Sequence, residues 1–85
     1  MIEGPPLPRP APKNRVVARK LLSSKWTAVA PRDREKHFVV VRVIPPEPPL
    51  LRVEQVELEA VHSRRAFVMD WRELKDATRW LQGWR

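Results

Sequence analysis

The chain has 85 residues and a formal net charge of +7, because 17 Lys and Arg face 10 Asp and Glu. The sequence contains 0 cysteines, which excludes a disulfide framework, a thiolate zinc site and a cysteine nucleophile. No apolar run reaches the roughly 18 residues of a membrane span and no secretory signal is evident, so a cytoplasmic location away from membranes is expected.

The amino-terminal residues 1–18 form a proline-rich, basic segment, and residues 19–85 are predicted to be one small β domain. Five of the 10 prolines lie in the first 12 residues. Because proline lacks an N–H and fixes φ, we expect an extended, solvated and disordered tail. Residues 1–20 carry five bases and one acid, a net charge of +4, whereas residues 21–85 carry a net charge of +3.

Four strands are predicted in chain order, over residues 25–29, 37–44, 51–61 and 65–71. The second is the strongest, because it is a run of β-branched and aromatic residues. Both of its faces are apolar, which predicts a central strand, or one in a curled sheet covered on both sides. The proline cluster at 45–49 is interpreted as a stiff connection between two strands of one domain.

The pairing of the third and fourth strands follows from their apolar faces. The alternating apolar residues of the two strands lie on the same side of the sheet only if the connecting loop has an even number of residues. A four-residue loop over 62–65 would pair Ala60 with Phe67 and Leu58 with Met69. A two-residue turn at the start of that loop keeps the same faces, but it favours Gly or Asn.

A change to helical spacing follows the fourth strand and predicts a short C-terminal helix across the sheet. Asp70 and Asp76 are candidate N-caps, and Gly83 suits the position after the helix. The predicted fold is therefore mainly β, a small antiparallel sheet of four or five strands that is curled or forms an SH3-like partly open barrel. A flat α+β arrangement is the alternative. The helical spacing is set by Leu74, Ala77, Thr78 and Leu81.

Several unusual short sequence motifs occur in a fixed order between residues 20 and 84. They are KLLSSKWTAV at 20–29, EKHF at 35–38, LEAV at 58–61, DWRELKD at 70–76, Trp80, and Gly83 with Trp84. This string resembles a family of small tryptophan-rich conserved proteins of bacteria and photosynthetic organisms. The resemblance implies a single domain over that range and transfers no catalytic residue. The tail and the insert at 45–49 depart from the family's compact form.

The four tryptophans are predicted to be structural. Trp26, Trp71 and Trp80 lie inside patterned segments and are assigned to the core, because a small domain gains burial from large aromatic side chains. Trp84 follows Gly83 and is interpreted as a clasp that folds back on the sheet.

No catalytic residue, metal site or cofactor is predicted. His37 and His62 are isolated and lack ligand spacing. The serines have no nucleophile elbow, and no glycine-rich phosphate loop is present. The protein is therefore expected not to be an enzyme.

Basic residues concentrate in two loops, 31–36 and 62–65, which a meander would place at the same end of the sheet. These loops carry a net charge of +3, and the rest of residues 21–85 sums to zero. We call the five bases of these loops the basic rim. The candidate nucleic-acid-binding residues are the basic rim, Arg32, Arg34, Lys36, Arg64 and Arg65, together with Lys13, Arg15, Arg19 and Lys20 of the amino-terminal segment.

These features predict a non-enzymatic, nucleic-acid-binding accessory module, with RNA or the ribosome as the partner. Lys and Arg contacts to phosphates would supply affinity with little sequence specificity. The alternative is a protein–protein adaptor whose aromatic groove is lined by Trp26, Trp84 and the loop at Pro31. With either partner, the protein is expected to be a monomer.

Overall fold

A computed structural model describes residues 12–49 and 51–85 of the chain. The predicted tail therefore lies largely outside the described residues, and the boundary between tail and domain stays a prediction. The described chain contains two short 3-10 helices, Ala18–Lys20 and Trp71–Lys75. Its strands are β1 (Lys25–Arg32), β2 (Glu35–Val43), β3 (Gln55–Ala60), β4 (Ala66–Asp70) and β5 (Trp80–Gln82).

The strands form one antiparallel sheet in the order β4-β3-β2-β1-β5. The first four strands are a simple meander, and β5 returns to pair with the free edge of β1. The prediction of a mainly β fold with four or five antiparallel strands in a curled sheet is confirmed. The sheet does not close, because β4 and β5 are its two edges.

The hydrophobic core lies on one face of this sheet, as the alternation in β3 predicts. Trp26 and Trp80 are buried there, which confirms their assignment, and Trp71 is half-buried against the same cluster. Two residues from outside the strands, Leu21 and Leu74, are fully buried and cover the sheet. The buried apolar residues are Leu21, Trp26, Phe38, Val40, Val56, Leu58, Ala60, Leu74 and Trp80.

The central strand β2 carries a bulge that the sequence reading missed. Val40 pairs with Leu58 but Arg42 pairs with Glu57, so Val41 is an extra residue. A bulge shifts the alternation of side chains between the faces. Val43 therefore packs against the core instead of sharing a face with Val41, which stays 40% exposed. The prediction of a central strand is confirmed, whereas the alternative, a strand covered on both faces, was wrong.

The predicted register of β3 and β4 was also wrong, although the faces were right. Leu58 pairs with Phe67 rather than with Met69, and Glu59 pairs with Ala66. The connecting turn has the predicted four residues, but it spans 61–64, with the Ala60 N–H donating to the Arg65 carbonyl at 2.8 Å. Moving the turn by one residue shifts the partner by two and preserves the face.

The predicted C-terminal helix is replaced by a five-residue 3-10 helix and a strand. Asp70 caps the 3-10 helix as predicted, since its side chain accepts from the Arg72 N–H. Asp76 is extended and ends the helix, and its carboxylate accepts from the N–H of Thr78 to form a turn. Trp80 then opens β5, because the edge of β1 offers unpaired backbone groups there.

The described part of the amino-terminal segment is attached to the domain by Asn14. The side-chain amide of Asn14 donates to the carbonyls of Leu74 and Trp80, both at 2.8 Å. Its backbone N–H donates to the Lys75 carbonyl at 2.8 Å, and Val16 packs against the core. Asn14 therefore joins the segment before β1 to the 3-10 helix and to β5.

Candidate nucleic-acid interface

A tight two-residue turn ends the hairpin of β1 and β2. Arg32 pairs with Glu35, and both Asp33 and Arg34 have positive φ angles, 53° and 64°. Two central residues with positive φ are the mark of the turns that fit the twist of a β-hairpin. The turn places the exposed side chains of Arg32 and Arg34 at the end of the sheet.

Glu35 joins this hairpin to the turn between β3 and β4. Its carboxylate accepts from Arg65 Nη2 at 2.6 Å and Nε at 3.0 Å, and from the Ser63 hydroxyl at 2.5 Å. Glu35 is only 4% exposed, so a buried carboxylate is held by a forked guanidinium and a hydroxyl. The two loops therefore meet at one end of the sheet, as the meander predicted.

The bond with Arg65 lowers the pKa of Glu35, and the Ser63 hydrogen bond lowers it further against the effect of burial. The same contact raises the pKa of Arg65. Arg65 is therefore bound to Glu35 and is less available to a ligand than a free surface base. This contact separates it from the other members of the basic rim.

The remaining rim residues have no carboxylate partner among residues 12–49 and 51–85. The five ion pairs of the described chain involve Arg42, Arg65, Arg72 and Arg79. The exposed bases at the rim that take part in none of them are Arg32, Arg34, Lys36 and Arg64.

The predicted basic residues before β1 are placed elsewhere on the domain. Lys13 forms a β-bridge with Asp76, and the Arg15 carbonyl accepts from the Gln82 side chain at 2.7 Å. Arg19 and Lys20 are exposed in the first 3-10 helix. Lys13 and Arg15 therefore lie next to the end of the second 3-10 helix and to β5, rather than enlarging the rim.

A cleft of about 480 Å³ opens on the core face beside the rim, and the sequence reading missed it. Ala28, Ala30 and Pro31 of β1 line one side, and Phe67 and Met69 of β4 line the other. The pairing of β1 with β2 is irregular between positions 27 and 32, which leaves this stretch of β1 free to follow β5. Strand curvature of this kind cannot be derived from alternation alone.

Aromatic rings and arginines line the cleft. Phe38 meets Phe67 and Trp80 edge to face, with ring centroids 6.0 and 5.2 Å apart. The guanidinium of Arg65 lies over the Phe67 ring at 5.5 Å. Arg79, on the opposite wall, pairs with Glu73 at 3.1 Å.

Trp84 is the clasp that the sequence predicted, on the outer face of the sheet. Its Nε1 donates to the Phe38 carbonyl at 3.0 Å, and Lys25 Nζ lies 4.8 Å from the ring centroid. The side chain is still 46% exposed. Trp26 is buried and does not line an open groove with it, while Pro31 lines the cleft on the core face.

The two histidines lie apart from any cluster of metal ligands. His37 Nε2 is 2.9 Å from the Arg85 carbonyl, and His62 is exposed in the turn after β3. Within the described ranges, no three His, Cys, Asp or Glu side chains gather as a metal site would require. The helices in those ranges are too short and polar to cross a membrane.

The fold and this end of the sheet define a small, basic, tryptophan-rich β domain with a charged rim and an aromatic cleft. A family model described as Tryptophan-rich protein (DUF2389) matches residues 24–85. The chain belongs to this family, which confirms the resemblance drawn from the tryptophan-containing motifs. No match was found among curated proteins or among solved structures.

The lowered pKa of Glu35 predicts how the stability of the domain depends on pH. The pKa of Glu35 is lower in the folded state than its value of about 4.3 in the unfolded chain. The ionised pair therefore stabilises the fold fully above this unfolded pKa, and the stabilisation is lost as the pH falls through the folded-state pKa. We expect Glu35→Gln to lower the thermal midpoint at pH 6 to 7 and to have a shrinking effect below about pH 4. The measurement is thermal unfolding of both proteins across this range.

The difference in thermal midpoint between the unchanged chain and Glu35→Gln reports on Glu35 and not on the other acidic residues. Asp70 and Asp76 also have lowered pKa values, because Arg72 and Thr78 donate to them, so both proteins should lose stability in acid. The charged groups near the pair, Arg65, His62 and Asp33, are the same in both. A difference that stays constant down to pH 3 would contradict the ionised pairing.

Proposed function

We propose that this domain is a non-enzymatic RNA-binding accessory module of the cytoplasm, acting on RNA alone or as part of the ribosome. The observation that carries the proposal is the Glu35 contact with Ser63 and Arg65, which holds two basic loops together. The joined loops present Arg32, Arg34 and Arg64 on one end of a rigid sheet. Exposed guanidinium groups with no carboxylate partner among the described residues are suited to phosphate oxygens.

The distribution of charge supports this use of the rim. Elsewhere on the sheet, Arg42 and Arg72 lie against Glu57 and Glu54. Arginines that are already paired have less to gain from a phosphate than unpaired ones. Among the described residues, the rim apart from Arg65 and the segment before β1 therefore carry bases that take part in no ion pair.

The test changes two rim arginines together. We expect Arg34→Ala with Arg64→Ala to weaken binding of the full chain to single-stranded RNA. It should also flatten the slope of log affinity against log salt by about 1.4, because each lost phosphate contact contributes about 0.7. The measurement is fluorescence anisotropy with a labelled RNA between about 50 and 200 mM salt.

The matched control is Arg42→Ala with Arg52→Ala, which removes the same charge near the connection of β2 and β3, at the opposite end of the meander. This control should keep most of the salt slope. Equal losses in the two double variants would mean that net charge, and not the rim, attracts RNA. Absence of RNA binding by the unchanged chain at low salt would overturn the proposal.

A protein partner is the second candidate, and the outer face of the sheet favours it. Val41, Val68 and Trp84 are 40%, 47% and 46% exposed there. Exposed apolar side chains on one face of a sheet are the kind of surface that a protein partner can cover. A partner held by this face should bind with little dependence on salt, in contrast to RNA.

A further inference from the structure

The cleft and the basic rim are continuous, because Arg32 and Arg65 belong to both. A ligand that occupies both would place negative charge on the basic rim and an apolar, planar group in the cleft. From this we infer that the cleft receives one unpaired base of an RNA strand whose phosphates lie on Arg32, Arg34 and Arg64. This inference rests on the RNA-binding function proposed above.

The walls of the cleft fit a planar ring. Of the three rings that line the cleft, Phe38 and Trp80 are buried, whereas Phe67 is half-buried and has the Arg65 guanidinium over its ring. Bases of single strands stack on aromatic side chains and on arginine planes of this kind. The volume of about 480 Å³ lies within the roughly 300–1,000 Å³ of ligand pockets.

The charges of the cleft direct the phosphate to its mouth. Arg65 and Arg79 are each satisfied by a glutamate, Glu35 and Glu73. Arg32 has no carboxylate partner in the described ranges and stands between the cleft and the turn that carries Arg34. A phosphate on Arg32 therefore leaves its own base beside the aromatic walls.

Polar side chains favour a base over a purely apolar occupant. Glu73, Thr78 and Arg79 line the cleft together with the aromatic rings. Carboxylate, hydroxyl and guanidinium groups can hydrogen-bond to the edge of a base, whereas an aliphatic chain offers them no partner.

A base inside a duplex cannot enter the cleft, because its faces are stacked on neighbours and its edge is paired. The inference therefore specifies single-stranded RNA, in which bases are free to leave the stack. It also separates two contributions to affinity. Salt-dependent phosphate contacts belong to the rim, and a salt-independent stacking contribution belongs to the cleft.

The experiment compares two probes of equal charge, an oligouridylate of about nine nucleotides and an abasic ribose–phosphate strand of the same length. The full chain should bind the oligouridylate about 5- to 150-fold more tightly, the range expected for stacking of one base. Ala30→Phe, which fills the cleft from β1, should remove this preference and leave the salt slope unchanged. Thr78→Phe adds a ring from the segment next to β1, just before β5, and should do the same.

The matched control is Val29→Phe, which adds the same ring at the neighbouring exposed position that does not line the cleft. It should keep the preference for bases. Uridine monophosphate should compete only weakly, because it lacks the additional rim phosphates. If it binds as tightly as the strand, the ligand is a free nucleotide and the inferred strand is wrong.

The remaining outcomes distinguish failure of the inferred base site in the cleft from failure of the proposed RNA binding. Equal binding of both probes by the unchanged chain would overturn the role of the cleft while RNA binding through phosphates stands. A preference that survives both cleft-filling variants would place the base elsewhere and also overturn it. If neither probe binds at low salt, the proposed function fails and the inference fails with it.

Discussion

Replacing Trp26 by alanine is expected to unfold the domain. Trp26 is the largest fully buried side chain and only 1% exposed. Its Nε1 donates to the Ser24 hydroxyl at 2.9 Å, and that hydroxyl donates to the Leu21 carbonyl at 2.6 Å. Emptying a buried aromatic site costs about 3–5 kcal/mol. An unstapled fold of this size has only about 3–5 kcal/mol in total, so little folded protein should remain.

Urea unfolding followed by far-ultraviolet circular dichroism measures the loss. Trp26→Phe should retain part of the stability, because it keeps a ring in the site and loses only the hydrogen bond and some volume. Trp84→Ala is the matched control, since it removes the same side chain from a position that is 46% exposed. A midpoint for Trp26→Ala close to that of the unchanged chain would show that the core does not depend on Trp26.

The sequence predicted the sheet well because the strands carry strong local signals. β3 alternates buried residues with glutamates, and all three of its apolar residues are fully buried. The strand order of the meander is the one in which strands that follow each other in the chain are neighbours in the sheet. These features depend on a period of two and on proximity in the chain, and both can be read from residues alone.

The errors came from long-range pairing. β5 has three residues, and the spacing of Leu74, Ala77 and Leu81 is helical, so local preference favoured a helix. The free edge of β1 overrode this preference by offering backbone partners to Trp80 and Gln82. The bulge at Val41 likewise arises from pairing with a strand that is distant in sequence.

The candidate site was predictable in part for the same reasons. The meander placed the two basic loops at one end, and the structure joins them through Glu35 and Arg65. Nothing in the residue pattern distinguishes Arg65, which is held by a buried carboxylate, from Arg64, which is not. The cleft was missed because its walls come from separate strands, and Arg79 was assigned to a helix.

Asn14→Asp is expected to destabilise the domain strongly, although it replaces only a side-chain amide by a carboxylate of the same shape. The Asn14 amide donates to two carbonyls, those of Leu74 and Trp80, which belong to different elements. A carboxylate of the same shape is only an acceptor, so it faces both carbonyls without a proton to share. Leaving such groups unsatisfied costs about 1–3 kcal/mol, and more when one of them is charged.

Asn14→Ala separates loss of the two bonds from repulsion, and it should be the milder change. Arg15→Ala is the control, because the contact made by Arg15 uses its backbone carbonyl, which the substitution keeps. Chemical unfolding of the full chain measures all three. Because a chain that begins at residue 19 lacks Asn14, it should be less stable than one that begins at Pro12. RNA binding by the folded domain should therefore be tested on chains that retain Asn14, and unchanged stability of Asn14→Asp would show that the amino-terminal segment is not part of the domain.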